Sequence, residues 1–226
     1  MMAAARKTSA ASYLPEDRDL DSLEAAANVC RGCSLYESAS QTVFGHGDSH
    51  AQLMLVGEQP GDREDIEGLP FVGPAGRLLA RALDEAGIDP DVTYQTNAVK
   101  HFKFTRKNAK RRIHQKPSRT EVVACRPWLV AEIEAVRPQV IVCLGATAAQ
   151  SLLGAAFRIS AHRGELMRLP REAEIRVEPE PRVVATFHPS AVVRERTERR
   201  HEMYQLFVGD LRSARASLAG RRRQRR

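Results

Sequence analysis

The sequence predicts an α/β fold, a three-layer α/β/α sandwich around a central, mainly parallel four-stranded sheet. Two observations predict it. Short strand-like runs at 52–57, 92–99, 140–144 and 182–187 alternate with stretches of helical periodicity, the pattern of parallel strands joined by crossover helices. Three of these runs lead into or end near polar residues in turns, Glu58, Asn97 and His188, and functional groups in such sheets collect at the carboxyl ends of strands.

Taken in order, residues 1–18 are small and polar without periodicity and read as disordered. A single domain is expected over 19–219, followed by a basic tail at 220–226. Asp21 to Ala27 reads as a short helix, ending before Cys30-Arg31-Gly32-Cys33. Gln52 to Gly57 is a buried strand running into the turn Gly57-Glu58-Gln59-Pro60-Gly61-Asp62. Gly73-Pro74 opens a helix with apolar stripe Leu78, Leu79, Ala82, Leu83 and Ala86, stopped by Gly87. Val92 to Val99 is the second strand. Ser118-Arg119-Thr120-Glu121 is a capping box that starts a helix to about Val136, and Pro127 should kink or split it. Val140 to Leu144 is a third strand, followed by the helix Ala146–Leu153. Gly164 to Leu169 is an extra strand, Arg182 to Phe187 the last core strand, and Glu198 to Ala219 a terminal helix.

The charge is localised. The chain has 35 basic and 28 acidic residues, net +7. The run Lys100 to Arg119 holds nine Lys or Arg and no Asp or Glu, and Arg221 to Arg226 holds five more. Without these two segments, 21 basic residues face 28 acidic ones. The basicity is therefore a patch, the footprint of a polyanion such as nucleic acid. Inside the run lies Lys110-Arg111-Arg112-Ile113-His114. Repulsion from the neighbouring arginines disfavours the imidazolium, so His114 should stay neutral near pH 7, and a neutral imidazole is a nucleophile. No apolar run approaches the roughly 20 residues needed to span a membrane, and the first residues lack the apolar core of a signal peptide. A cytoplasmic protein is expected, and its four cysteines point to metal or catalysis before disulfides. Cys30 and Cys33 form a C-x2-C pair and Cys125 follows much later. Cys143 sits mid-strand and reads as a small core hydrophobe.

Four ordered motifs then identify a family. Gly57-Glu58-Gln59-Pro60-Gly61, Gly68-Leu69-Pro70-Phe71-Val72-Gly73-Pro74-Ala75-Gly76, Thr96-Asn97-Ala98-Val99-Lys100 and His188-Pro189-Ser190 resemble the uracil-DNA glycosylase superfamily, specifically its iron–sulfur family-4 branch. The Lys-Arg-Arg-Ile-His segment resembles one subgroup, UdgX. The resemblance covers about residues 20–215. It implies excision of uracil from DNA, single-stranded DNA being preferred, by a monomer in DNA repair, with free uracil as product. It places uracil against Gly57, with Phe71 stacking on the extruded base and Asn97 reading its O4 and N3 edge, since an amide offers both a donor and an acceptor. Asp62 is a weaker candidate at the same pocket. Glu58 would stabilise the oxocarbenium-like sugar, and His188 would assist departure of the uracil anion at O2. Gln59 replaces the usual small residue and would bridge to water or the base. In the subgroup-like reading His114 attacks C1′ in place of water, giving a covalent protein–DNA bond, and Arg112 fixes the loop or contacts phosphate. Lys110, Arg111, Ser190 and Arg194 would contact DNA.

The resemblance also implies a [4Fe–4S] cluster. Where the family has a cysteine after the second strand, this chain has His101, so the implied ligands are Cys30, Cys33, His101 and Cys125. Histidine replaces cysteine on iron in Rieske centres, and three cysteines with one histidine also form a zinc set. Two further readings stay open: a conventional turnover glycosylase in which His114 only contacts DNA, and a non-catalytic iron–sulfur nucleic-acid binding protein.

Overall fold

The fold is that of a computed structural model, which describes residues 9–108 and 111–222. In chain order the helices are α1 Leu20–Ala27, α2 Asp62–Glu67, α3 Pro74–Ala86, α4 Arg119–Val136, α5 Ala146–Leu153, α6 Ile159–His162, α7 Pro189–Arg194 and α8 Arg199–Arg222. The strands are β1 His46–Gly47, β2 Leu53–Gly57, β3 Thr93–Asn97, β4 Phe104–Asn108, β5 Arg111–His114, β6 Val140–Leu144, β7 Leu166–Arg168 and β8 Arg182–Thr186. The main sheet has the order β1-β3-β2-β6-β8-β7. Its four central strands are parallel, as expected, and two short antiparallel strands, β1 and β7, extend the edges.

Alternation along the strands divides the core between the two faces. On β2, Met54 and Val56 pack with α4 and α5 residues such as Leu129, Ile133 and Leu152. Leu53 and Leu55 face α3 and α8, against Leu79, Leu83, Phe207 and Leu211. On β6, Cys143 follows the first face with Ile141. A third cluster joins α1 to α4 through Leu23, Ala27, Trp128 and Phe44.

Three expectations are corrected. Residues 9–18 are ordered: Ala10–Tyr13 forms a 3-10 turn capped by the Ser9 hydroxyl, and Ala10 is buried in the α1–α4 cluster. Residues 1–8 lie outside the described residues. Pro127 does not split α4, which runs unbroken from Arg119 to Val136; burial of Leu129, Ile133 and Val136 on one side and Trp128 on another outweighs the local cost of proline. The basic run is not a simple loop, because β4 and β5 pair as an antiparallel hairpin. Of the tail, residues up to Arg222 continue α8, and 223–226 lie outside the described residues.

Beneath the sheet's carboxyl end lies a buried ion pair. Lys100 and Glu132 are 1% and 0% exposed and directly hydrogen-bonded. Lys100 Nζ also donates to Thr96 Oγ1 (2.6 Å) and to the Asn97 carbonyl (2.9 Å). Glu132 Oε1 accepts from Tyr94, Thr96 and the Gly45 amide. Every polar group has partners, so the pair fixes the end of β3 without an unmet buried charge. Lys100→Met removes the cation and leaves the carboxylate buried without a counter-charge. A loss of about 3–5 kcal/mol in unfolding free energy is expected at pH 7, read from urea melts; a loss under 1 kcal/mol would contradict the account.

Candidate functional site

A cleft of about 540 Å³ opens at the carboxyl ends of β2, β3 and β8. Its walls bring together Glu58, Phe71, Asn97, His114, His188, Ser190 and Arg194, residues spread over most of the chain. Asn97 is the last residue of β3 and is 3% exposed. A Cβ at Gly57 would overlap Asn97 Oδ1 and come within 2.8 Å of Phe71 Cζ. Glycine at 57 therefore keeps open the space between the amide and the aromatic ring.

Phe71 is held in an unusual conformation, with φ of 58°. A bulky residue in the left-handed region marks local strain that the surroundings must hold in place. Two contacts do so. A Cβ at Gly76 would collide with the Phe71 carbonyl, so α3 begins hard against this loop. Glu64 binds the Gly61 amide and the Gly73 amide (3.4 Å), tying the turn after β2 to the loop after α2. Burial raises the Glu64 pKa.

Glu58 and His114 face each other, with Oε1 and Nε2 3.6 Å apart and side chains 20% and 48% exposed. The separation is beyond hydrogen-bond range. The other Glu58 oxygen accepts from the hydroxyl of Thr147, which is buried in the first turn of α5. Sequence reading missed Thr147, although its place three residues after the end of β6 was a strand-end signal of the same kind as Glu58.

His188 caps α7. Its Nδ1 accepts from the Ser190 amide at 3.2 Å and lies 2.8 Å from the Ser190 hydroxyl. In the neutral ring the proton is therefore on Nε2. Burial, then Arg194 and His114, push its pKa down to about 4. His114 is also lowered, but the cause differs from the one expected. Desolvation is the largest influence and Arg194 adds to it, while Glu58 opposes both. The arginines of the basic run are not what keeps this ring neutral.

Several of those cations are occupied inside the protein. Lys100 is buried on Glu132, and Lys103 pairs with Glu121 at 2.8 Å. Arg112 is 13% exposed, donates to Asp62 and Asp65, and stacks over Phe102 and Phe104. It fixes the hairpin. Asp62 borders the cleft, and one of its carboxylate oxygens is held by Arg112, so the residue also anchors the hairpin. Gln59 also lines the cleft. Its Nε2 donates to the Lys103 and Gln115 carbonyls and its Oε1 accepts from the Lys103 amide, so both ends of the side chain clasp the base of the hairpin. Arg111 lies exposed on β5, and Lys110 falls outside the described residues. The Ser190 hydroxyl is directed to His188.

The four expected ligands Cys30, Cys33, His101 and Cys125 border one small buried cavity, joined by Trp128. The cysteines are free thiols. Backbone amides reach two sulfurs, Gly32 to Cys30 (3.4 Å) and Lys100 to Cys125 (3.3 Å). The Trp128 indole N–H is buried without a hydrogen-bond partner, a donor that an anionic sulfur centre would satisfy. Among the described residues, however, no three His, Cys, Asp or Glu side chains converge closely enough to hold a metal ion, and His101 Nε2 lies 3.0 Å from Thr42 Oγ1. The donor chemistry fits an iron–sulfur centre. Cys143 stands apart in the sheet core, its thiol pushed up to about 12 by burial.

Residues 44–212 match the family model described as Uracil DNA glycosylase superfamily. The chain belongs to that superfamily. It is 35% identical to the type-4 uracil-DNA glycosylase of Archaeoglobus fulgidus, across 77% of this chain and 83% of the relative. The type-4 enzyme of Pyrobaculum aerophilum is 33% identical across 85% and 95%, and that of Thermotoga maritima 34% identical across 83% and 88%. Among the described residues, no helix is long and apolar enough to cross a membrane.

The electrostatics make a signed prediction. His114 should titrate below 6.5, and so be neutral at pH 7. Glu58→Gln removes the carboxylate that favours the charged ring, so the midpoint falls further. Arg194→Gln removes an opposing cation, so it rises. Imidazole proton shifts followed by NMR across pH 4–8 check both signs; equal midpoints in all three proteins would show that neither group acts on the ring.

Proposed function

We propose that this protein excises uracil from DNA and joins its own His114 to C1′ of the sugar left behind. The observation that carries the reading is the pairing of a lowered-pKa imidazole with a carboxylate 3.6 Å away, beside a slot between Phe71 and Asn97 that glycine at 57 keeps open. The type-4 relatives support the substrate class. The subgroup-like loop supports the covalent step.

In this reading the base is turned out of the strand into the slot, where Phe71 stacks on it and Asn97 pairs with its polar edge. The C1′–N1 bond breaks and its electron pair leaves with uracil. His188, protonated on Nε2, donates a hydrogen bond to the uracil oxygen where negative charge collects. Glu58, steadied by Thr147, places a carboxylate against the cationic sugar. His114 supplies a lone pair to C1′. The attacking nitrogen is the one without the proton, and the proton on the other nitrogen passes to solvent once the bond has formed. Arg112, Gln59 and Asp62 position the hairpin; Arg194, Arg111, Lys110 and Ser190 face the strand.

The chain would hold a [4Fe–4S] cluster through Cys30, Cys33, His101 and Cys125, and the cluster supplies a cross-link between the region after α1 and both flanks of the hairpin. The purified protein should be brown, with about four irons per chain. Cys143→Ala should leave iron content unchanged. A colourless protein carrying one zinc would rule the assignment out.

The deciding experiment is incubation with uracil-containing single-stranded DNA followed by a denaturing gel. Wild type should give one stoichiometric adduct and none with thymine-containing DNA. His114→Ser should lose the adduct yet release uracil with turnover, because water enters where the ring was. Glu58→Gln should lose both. A denaturant-resistant adduct from His114→Ser would assign the nucleophile to another residue, and uracil turnover by wild type without an adduct would favour the conventional glycosylase.

A further inference from the structure

Beside the cleft lies a second hollow of about 610 Å³, between α3, α7 and the start of α8. The two share walls at Pro74 and Val193, so the furrow of the second lies directly beside the cleft. The floor of the second hollow is apolar, with Leu78, Val192 and the buried ring of Tyr204. Its rim carries Arg77, Arg81 and Arg200, with His201 beside them and Glu198 as the one acid. Arg81 lies over the Tyr204 ring, 4.8 Å from its centre. Arg77 and Arg200 are exposed and make no side-chain hydrogen bond or ion pair among the described residues. This differs from the hairpin, where Lys103 and Arg112 are spent on internal carboxylates. Unspent cations above an apolar floor suit a polynucleotide, which offers phosphates to the rim and base faces to the floor.

We infer that this groove binds the nucleotides of the same DNA strand next to the uracil, on one side of it only. Arg77 and Arg200 hold their phosphates, and Leu78 with the guanidinium of Arg81, which lies over the Tyr204 ring, takes the face of a base. The inference rests on the proposed function for the position of the uracil, but its test reads affinity.

The experiment uses the full-length chain carrying Glu58→Gln, so that the base stays in place, and single strands with one uracil extended on the 5′ side, the 3′ side or neither. Binding is followed by fluorescence anisotropy. Extension on the side that enters the groove should raise affinity about tenfold, the scale of one stacked base or a pair of phosphates. Arg77→Gln/Arg200→Gln should lose that increment, keep any increment from the other side, and show a salt dependence shallower by about 1.4 logarithmic units per logarithmic unit of salt. A charge-matched control, Arg18→Gln/Arg176→Gln, alters exposed arginines outside the furrow and should keep the increment. With Glu58 restored, the groove double variant should process the unextended substrate at the wild-type rate. The inference is overturned if the double variant keeps both increments, or if extension helps on neither side. Uracil release without an increment would sink the groove and leave the proposed function standing; a lost increment without uracil release would do the reverse.

Discussion

A two-stranded hairpin has too little apolar surface to hold its own shape in water, so the position of His114 depends on what fastens β4 and β5 to the domain. The fastening is Arg112. Its guanidinium reaches Asp62 at the surface and Asp65, which is fully buried, while its flat face lies over Phe102 and Phe104. Asp65 also accepts from the Ser40 amide. One cation therefore links the chain after Cys33, the helix α2 and the strand that ends on His114. A lysine could not reproduce this, because the planar fork and the stacking are properties of guanidinium. Gln59 closes the other end by clasping Lys103 and Gln115.

The same economy recurs under Asn97. A buried ion pair is weak evidence for stability, because desolvation offsets most of the attraction. Lys100 and Glu132 have a positional consequence: the ammonium holds the carbonyl of Asn97 itself. The backbone that presents the amide to the cleft is thereby fixed from below, while Gly57 and Phe71 bound it from above. A site that must distinguish one polar edge from another needs such rigidity, since a misplaced amide pairs with several bases equally.

The sheet was legible because strands buried on both faces leave long apolar runs, and Val140–Leu144 can be little else. The helices α3 and α5 followed from glycine and proline punctuation at Gly73, Pro74, Gly87 and Gly145. The hairpin was not legible. Its stability comes from Asp62, Asp65 and Gln59, 44 to 56 residues away in sequence, and local composition carries no trace of that. The 3-10 turn at Ala10 was hidden for the same reason, since its burial is supplied by α4. Glu58, Asn97 and His188 were visible as polar residues near strand ends. Thr147 obeyed the same rule but lay inside a helix-forming run, where its hydroxyl attracted no notice. Gln59 and Asp62 were legible as residues of the site turn, but not that their side chains also fasten the hairpin. An amide or carboxylate beside a pocket can face the pocket or the backbone behind it, and only the fold decides.

The charge of the basic run divides along that line as well. Counted from sequence, it is a single patch. In the fold, Lys100, Lys103 and Arg112 neutralise acids of the domain, and the cation that acts on the two imidazoles is Arg194, from α7. This matters for the chemistry. In the proposed reaction, arginines packed around His114 would keep it neutral but would also destabilise the sugar cation it attacks. With Arg112 spent on structure, the largest influence that lowers the His114 pKa is desolvation, which adds no positive charge to the cleft. Glu58 is the carboxylate that faces the ring, and Arg194 and the exposed Lys116 are cations on the wall of the cleft.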